Sequence, residues 1–247
     1  MRDNSLFLAG LKEWNISLTE KQLEQFEQYY DMLVEKNKVM NLTAITEYED
    51  VITKHFIDSL ALSRVMPLSG KKIKILDMGT GAGFPGLPLK IAFPELEITL
   101  MDSLNKRIVF LQEVIDALGL TGITAVHGRA EEAAAKPEYR EQFDLCVSRA
   151  VARLNSLSEF CIPFVKQGGK FIPYKSGEIE EELQEGKFAI RELGCEFKKK
   201  MSFTLPNSDI ERTLLMIDKV KSTPKGYPRG GGKPLKQPLV FLKKGKK

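Results

Sequence analysis

Cysteine and histidine are scarce in this chain of 247 residues. It contains three cysteines, none of them in a CxxC pair, and two histidines. So few sulfur and imidazole ligands disfavour a structural zinc site, and an odd number of widely spaced cysteines does not make a disulfide framework. Hydrophobic residues at 43% and charged residues at 28% are ordinary for a globular protein. We therefore predict no metal and a reducing compartment.

Long apolar runs are missing as well. The first residues, MRDNSLFLAGLKEW, lack the apolar core of a secretory signal. No uninterrupted run approaches the ~18 to 20 apolar residues that a membrane span needs. The sequence thus predicts a cytoplasmic protein, without a membrane partner, and we expect it to be a monomer.

Acidic residues are absent from the C-terminal end. Ten of the 37 Lys and Arg residues, but none of the 33 Asp and Glu residues, lie between Lys219 and Lys247. A solvated tail without a partner would have this composition. A dense basic segment is also typical of binding to an anionic partner, most often nucleic acid. Charge alone leaves both interpretations open.

Three segments differ in their patterning. Residues 1–66 are predicted to be a helical extension, in which a capping box at Thr19 and Gln22 precedes apolar residues at helical spacing. In residues 67–220, strand-like and helical segments alternate, which predicts a Rossmann-like α/β core with a doubly wound, mostly parallel sheet. Residues 221–247 are a basic, Gly/Pro-rich tail that we expect to pack on or flank the core.

The stretch ILDMGTGAGFPGLPL, residues 75–89, places four glycines within eight residues after an apolar run. A Walker-type phosphate loop needs Lys-Ser/Thr after its glycines, and none follows here. Part of the stretch matches the dinucleotide pattern GxGxxG. In that fingerprint, however, the strand runs straight into the first glycine, whereas here Asp77 and Gly79 come earlier. The better reading is Asp-x-Gly-x-Gly-x-Gly.

This second reading favours a ligand without phosphate, such as S-adenosylmethionine (AdoMet). Glycines at Gly79 and Gly81 allow close approach of the backbone to the ligand, and Asp77 can serve the ammonium group or the loop itself. Asp102 ends the next strand segment, 23 residues after Gly79. That spacing is close to the ~20 residues expected for an acid that binds ribose hydroxyls. Because NAD enzymes share such an acid, Asp102 indicates a nucleoside ligand in general.

The residues that follow the third and fourth strand segments limit the classes of methyl-transfer reaction that this chain can carry out. Ala130 and Glu131 follow the third strand segment, where a loop would face adenine, and Arg149 follows the fourth. The Asn/Asp-Pro-Pro-aromatic motif of exocyclic-amine methylases is absent. Cys146 lies inside a strand segment that looks buried, and Cys161 lacks a basic neighbour to lower its pKa. A target with a ready lone pair, such as guanine N7, needs only positioning. We assign no catalytic acid or base, and Arg149 is the candidate for holding the AdoMet carboxylate, a guanine edge or a phosphate.

The chain resembles the ribosomal RNA small subunit methyltransferase G family, also called the glucose-inhibited division protein B family, over nearly its whole length. The resemblance rests on the motifs NKVMNLTAIT, HFIDSL, ILDMGTGAGFPGLPL, DSLNKRIVFL, GRAEE, SRAVA and YPRGGGKPLKQPL. It implies a class I AdoMet-dependent methyltransferase that modifies guanine N7 in the 530 loop of 16S rRNA. It also implies that the cofactor contacts Gly79, Phe84, Ala130, Glu131 and Arg149. The glycine pattern and the spacing of the following acid add Gly81 and Asp102 to these contacts.

The same resemblance implies that 16S rRNA or the small ribosomal subunit is the partner. We expect backbone contacts from Arg229, Lys233 and Lys236, although Gly230 stands where the family carries another basic residue. His55 and Asp58 share a helical face and could form a buried pair. Three alternatives remain: a non-catalytic AdoMet-binding ribosome-assembly or RNA-binding factor, a small-molecule methyltransferase and a nicotinamide dehydrogenase.

Overall fold

The computed structural model describes residues 2–241. Met1 of the predicted extension and residues 242–247 of the predicted tail lie outside the described residues. The helices are α1 (Ser5–Glu13), α2 (Glu20–Met40), α3 (Tyr48–Val51), α4 (Asp58–Leu60), α5 (Gly86–Ala92), α6 (Asn105–Ala117), α7 (Ala130–Ala133), α8 (Leu154–Cys161), α9 (Glu180–Glu192) and α10 (Lys233–Lys236). The strands are β1 (Lys74–Met78), β2 (Glu97–Asp102), β3 (Ile123–His127), β4 (Phe143–Arg149), β5 (Val165–Ser176), β6 (Cys195–Thr204) and β7 (Glu211–Lys219).

The chain divides into two compact units. Unit 1 contains the described residues up to Gly128 together with Ser202–Arg212, and unit 2 contains Arg129–Met201 and the described residues from Thr213 onward. The predicted boundaries after residues 66 and 220 do not coincide with this division. α2 belongs to the same unit as the first strands because it packs against α5 and α6. The functional division into extension, core and tail stays a prediction.

The helical character of the N-terminal segment follows from local signals. Gln22 N–H donates to Thr19 Oγ1 at 3.3 Å, and Thr19 N–H donates to Gln22 Oε1 at 2.8 Å, which is the predicted capping box. α2 buries one face, through Phe26, Tyr29, Tyr30 and Leu33. It ends at Asn41, whose φ of 50° is the left-handed conformation of a helix C-terminus.

In unit 1, the three strands lie in the order β3-β2-β1 and pair in parallel. The register aligns Met78 with Met101 and Asp102 with His127. α5 and α6 connect successive strands, as in a doubly wound sheet. Because all three strands end at the same edge, the segments that follow β1, β2 and β3 meet there.

In unit 2, the strands lie in the order β4-β5-β7-β6, and β4 pairs with β5 in parallel. Parallel pairing and the alternation of strands with helices confirm the predicted α/β fold class. Sequence reasoning did not assign α8, between β4 and β5. All eight of its residues are buried, including Asn155, Ser156, Ser158 and Glu159, so its burial does not follow residue polarity.

The described part of the basic tail belongs to unit 2 and is held by side chains from the rest of that unit. Arg140 donates to the carbonyl oxygens of Thr223, Pro224 and Tyr227 at 3.0, 3.1 and 2.8 Å. Ser156 Oγ donates to the Pro234 carbonyl at 2.7 Å. Side chains that are far away in sequence thus fix this segment, which has little regular structure of its own.

Along residues 2–241, no helix combines the length and apolarity required to cross a membrane.

Candidate functional site

The glycine loop after β1 lies across the end of β2. Gly79 N–H and Thr80 N–H both donate to the Met101 carbonyl, at 2.8 and 3.2 Å. Gly79, Gly81 and Gly83 have φ values of 68°, 63° and 109°. L side chains rarely adopt these conformations, so the path of the loop requires glycine at three positions.

Asp77 organises this loop from beneath. Its side chain is buried, and Oδ2 accepts hydrogen bonds from Thr80 Oγ1 at 2.6 Å and from Gly86 N–H at 2.8 Å. A Cβ on Gly86 would lie 2.9 Å from the same carboxylate oxygen. Asp77 was expected either to bind the ammonium group of the ligand or to support the loop. These contacts are those of a residue that supports the loop.

Gly81 has room beside it, whereas Gly83 and Gly86 in the same stretch do not. A Cβ built at Gly81 would meet none of the described atoms within 4 Å. At Gly83 it would collide with Leu87 and lie 2.9 Å from the Tyr29 hydroxyl. The open side of Gly81 is therefore a cradle that a side chain would fill and in which a ligand can approach the backbone.

Asp102, at the end of β2, binds the backbone of this loop. Its buried carboxylate accepts hydrogen bonds from Gly81 N–H at 3.0 Å, Leu104 N–H at 2.9 Å and Arg107 Nη1 at 3.1 Å. A carboxylate has about four lone-pair positions, so three donors leave about one for a ribose hydroxyl. The structure brings Gly79, Gly81 and Asp102 together, and their contact with a nucleoside stays a prediction.

Asp102→Asn is expected to weaken AdoMet binding about tenfold. The amide keeps one acceptor oxygen, so its NH2 group would face either Leu104 N–H or both Gly81 N–H and Arg107, and the charge that strengthens these bonds is lost. Isothermal titration calorimetry with AdoMet measures the effect. Asp116→Asn is the matched control, because this exposed carboxylate on α6 accepts a hydrogen bond from Gln112 at 2.8 Å and lies outside the loop. Equal affinities in the two variants would remove Asp102 from the binding site.

The segment after β3 begins beside Asp102. Gly128 N–H donates to the Asp102 carbonyl at 3.1 Å, and α7 starts two residues later at Ala130. Ala130 is buried, whereas Glu131 is half-buried in the first turn of α7. His127 Nε2 lies 3.1 Å from the Ser103 carbonyl oxygen, so this histidine has a partner at the strand end.

Arg149 is the last residue of β4, in unit 2, and is half-buried. The next residue, Ala150, is exposed and has a φ of 57°. An alanine in this left-handed region is strained by about 1 to 2 kcal/mol, and such strain is concentrated at functional sites. The backbone conformation supports the interest in Arg149 that the sequence raised.

The cysteines do not have the surroundings of nucleophiles. The three cysteines are buried thiols that are not joined in disulfides: Cys146, Cys161 and Cys195. Burial raises the pKa of the Cys195 thiol to about 12, so it stays protonated at neutral pH. Within residues 2–241, no group of three or more His, Cys, Asp or Glu side chains is arranged to hold a metal ion.

The three predicted RNA contacts differ in their surroundings. Arg229 Nε and Nη2 donate to Glu159 Oε1 and Oε2 at 2.9 and 2.7 Å, and Nη2 also donates to the Gln237 carbonyl at 2.7 Å. Lys233 and Lys236 are exposed on α10. The structure thus gives Arg229 an internal partner, and its role as an RNA contact stays a prediction.

The N-terminal residues that reach the glycine loop were not identified as site residues from the sequence. Tyr29 donates its hydroxyl proton to the Ala82 carbonyl at 2.6 Å, and the His55 ring stacks on Phe84. Helical spacing indicates that Tyr29 is on a packed face but does not indicate its partner. His55 and Asp58 are both buried, and their pairing with each other stays a prediction. His55 Nε2 lies 2.8 Å from Thr43 Oγ1, and Asp58 accepts a bond from Arg212 at 3.0 Å.

Sequence comparison shows close relatives. The profile of the GidB family, rRNA small subunit methyltransferase G, matches residues 22–210. The chain is 60% identical to ribosomal RNA small subunit methyltransferase G of Lachnoclostridium phytofermentans over 243 residues, which are 98% of this chain and 100% of that protein. It is 50% identical to the protein of the same name from Limosilactobacillus reuteri, over 94% of this chain and 98% of that protein.

Structural comparison supports the fold alone. A methyltransferase candidate from Bacillus halodurans aligns with a TM-score of 0.51 and 15% identity, over 66% of this chain and 99% of that one. The [4+2]-cyclase SpnF aligns with a TM-score of 0.55 and 15% identity, over 83% of this chain and 98% of that one. Since one of these proteins is a cyclase, the fold does not specify the reaction.

Proposed function

Because this chain belongs to the rRNA small subunit methyltransferase G family, we propose that it transfers a methyl group from AdoMet to guanine N7 in the 530 loop of 16S rRNA. The observation that carries the cofactor assignment is the bond of 3.0 Å between Gly81 N–H and Asp102, next to the open side of Gly81. This loop has no Lys-Ser/Thr for a phosphate, and it brings a carboxylate close to a cradle suited to a nucleoside.

AdoMet supplies an activated methyl group when it is bound. In unit 1, we propose that Gly79, Gly81 and Phe84 contact it and that Asp102 accepts hydrogen bonds from its ribose. In unit 2, we propose that Ala130 and Glu131 contact the adenine side and that Arg149 holds the carboxylate or orients the guanine. A bidentate guanidinium suits either partner of Arg149.

Guanine N7 carries its lone pair at neutral pH, so the protein needs no base to deprotonate it. The work of the side chains is to hold N7 in line with the methyl group and to exclude competing orientations. The three cysteines are buried, which is in keeping with a mechanism that uses no cysteine nucleophile.

We propose that the helical extension and the basic tail bind the RNA. Exposed Lys233 and Lys236 are suited to phosphate contacts, which supply salt-dependent affinity without reading sequence. Recognition of the guanine then depends on an unstacked base and on local RNA shape. We further propose that the protein acts as a monomer in the cytoplasm, on 16S rRNA or the small ribosomal subunit.

The test uses ribosomal RNA and small subunits from cells that lack this protein. Each substrate is incubated with the protein and methyl-labelled AdoMet, then digested to nucleosides. We expect label in 7-methylguanosine, and fragment mapping should place it in the 530 loop. Comparison of the two substrates measures how much assembly the enzyme requires. AdoMet binding without label in either RNA would favour the alternative, a non-catalytic ribosome-assembly factor.

A further inference from the structure

The N-terminal extension contacts the backbone of the glycine loop directly. The fully buried Tyr29 on α2 donates its hydroxyl proton to the Ala82 carbonyl at 2.6 Å. Ala82 stands between Gly81 and Gly83, at the centre of the loop. The same hydroxyl would be 2.9 Å from a Cβ on Gly83, so little space separates α2 from the loop.

Aromatic rings from the extension also enclose Phe84, the next residue of the loop. The His55 ring is stacked on the Phe84 ring with centroids 4.4 Å apart and an interplanar angle of 20°. The Tyr29 ring lies 5.5 Å from Phe84. Phe84 is buried. One end of the loop is therefore packed between side chains that come from a segment more than 25 residues earlier.

His55 is itself held by the loop that follows α2. Its Nε2 lies 2.8 Å from Thr43 Oγ1, which also accepts a bond from Ile45 N–H at 3.0 Å. Thr43 N–H donates to Asn37 Oδ1 at 2.9 Å. His55 lies in a π-helical segment, Ile52–Ile57, a geometry often found at functional sites. Contacts thus connect the NKVMNLTAIT motif to the glycine loop through His55.

We propose that Tyr29 and His55 are positioning residues that hold the glycine loop in the geometry that binds the cofactor. Three glycines in the loop leave its backbone many conformations, so its shape must be stabilised from outside. Apparent affinity falls in proportion to the fraction of molecules in the binding-competent conformation. This inference rests on the proposed function, because it requires the cofactor to bind at this loop.

Tyr29→Phe and Tyr30→Phe form a matched pair on one helix. Tyr30 donates its hydroxyl to the Thr46 carbonyl at 2.8 Å, so each variant loses one bond from a tyrosine to a backbone carbonyl. We expect Tyr29→Phe to raise the AdoMet Kd and KM about fivefold, with kcat at saturating AdoMet unchanged. Tyr30→Phe should keep the wild-type Kd. Calorimetry and initial rates measure these values, and thermal unfolding measures stability.

Two variants of His55 test the ring contact separately. His55→Leu removes the stack on Phe84 and should raise the AdoMet Kd severalfold, whereas His55→Phe retains a ring and should restore most of the affinity. If Tyr29→Phe and His55→Leu bind AdoMet as tightly as the wild type, the inference is wrong. The inference is also wrong if Tyr29→Phe and Tyr30→Phe lose AdoMet affinity equally and in proportion to their loss of thermal stability. A wild-type protein that binds no AdoMet would instead overturn the proposed function.

Discussion

Gly81→Ala is expected to lower kcat/KM for methyl transfer about 100-fold, through loss of AdoMet binding. The new methyl group would point into the open side of the loop, where none of the described atoms lies within 4 Å. It would therefore occupy space that the ligand needs. Displacement of the reacting groups by about 1 Å can cost about 100-fold in rate. Steady-state kinetics and calorimetry with AdoMet measure the two effects.

Gly119→Ala is the matched control for this prediction. Gly119, after α6, has a φ of 60° against 63° for Gly81, and its Cβ position is equally open. In both alanine variants, the free energy of unfolding should thus fall by a similar amount, about 1 to 2 kcal/mol, which is the cost of an alanine in the left-handed conformation. Only Gly81→Ala should lose AdoMet affinity. If the two variants bind AdoMet equally well, the cradle beside Gly81 is not the cofactor site.

Arg229→Ala is expected to lower the free energy of unfolding by about 3 kcal/mol, measured by urea denaturation. Glu159 has a fully buried side chain and accepts bonds from Arg229 Nε, Nη2 and backbone N–H, the last at 2.7 Å. These bonds raise the pKa of Arg229 above its usual value. Removing one partner of such a pair leaves a buried charge uncompensated, which costs about 3 to 5 kcal/mol.

Arg153→Ala is the comparison for Arg229→Ala. Arg153 Nη2 pairs with Glu185 at 2.8 Å, but the two side chains are 60% and 39% exposed, so its loss should change stability little. The double change Arg229→Met with Glu159→Leu should recover much of the stability lost in Arg229→Ala, because no buried charge remains. Unchanged stability of Arg229→Ala together with weaker RNA binding would instead identify Arg229 as a phosphate contact.

The basic residues of the tail differ in their partners. The Arg229 guanidinium donates hydrogen bonds to the Glu159 carboxylate and the Gln237 carbonyl. Lys233 and Lys236, a few residues later, are exposed. The paired arginine anchors the segment, and the lysines stay available to an anionic partner. Composition alone treats all three as equivalent positive charges, although their electrostatic surroundings differ.

The sequence by itself determined the local elements. The capping box of α2, the parallel strands and the path of the glycine loop depend on side-chain periodicity and on glycine at positive φ, which neighbouring residues encode. The spacing of Asp102 from the loop was also readable, since the connection between successive parallel strands has a characteristic length.

Only the tertiary structure decided which distant side chains meet. Tyr29 and Ala82 are separated by 53 residues and Glu159 and Arg229 by 70, and no periodic pattern links such positions. The burial of polar Glu159 in α8 became interpretable only with its partner in place. A hydrophobic pattern records which face of an element is buried, whereas a long-range hydrogen bond depends on how the elements pack, and packing is a property of the whole fold.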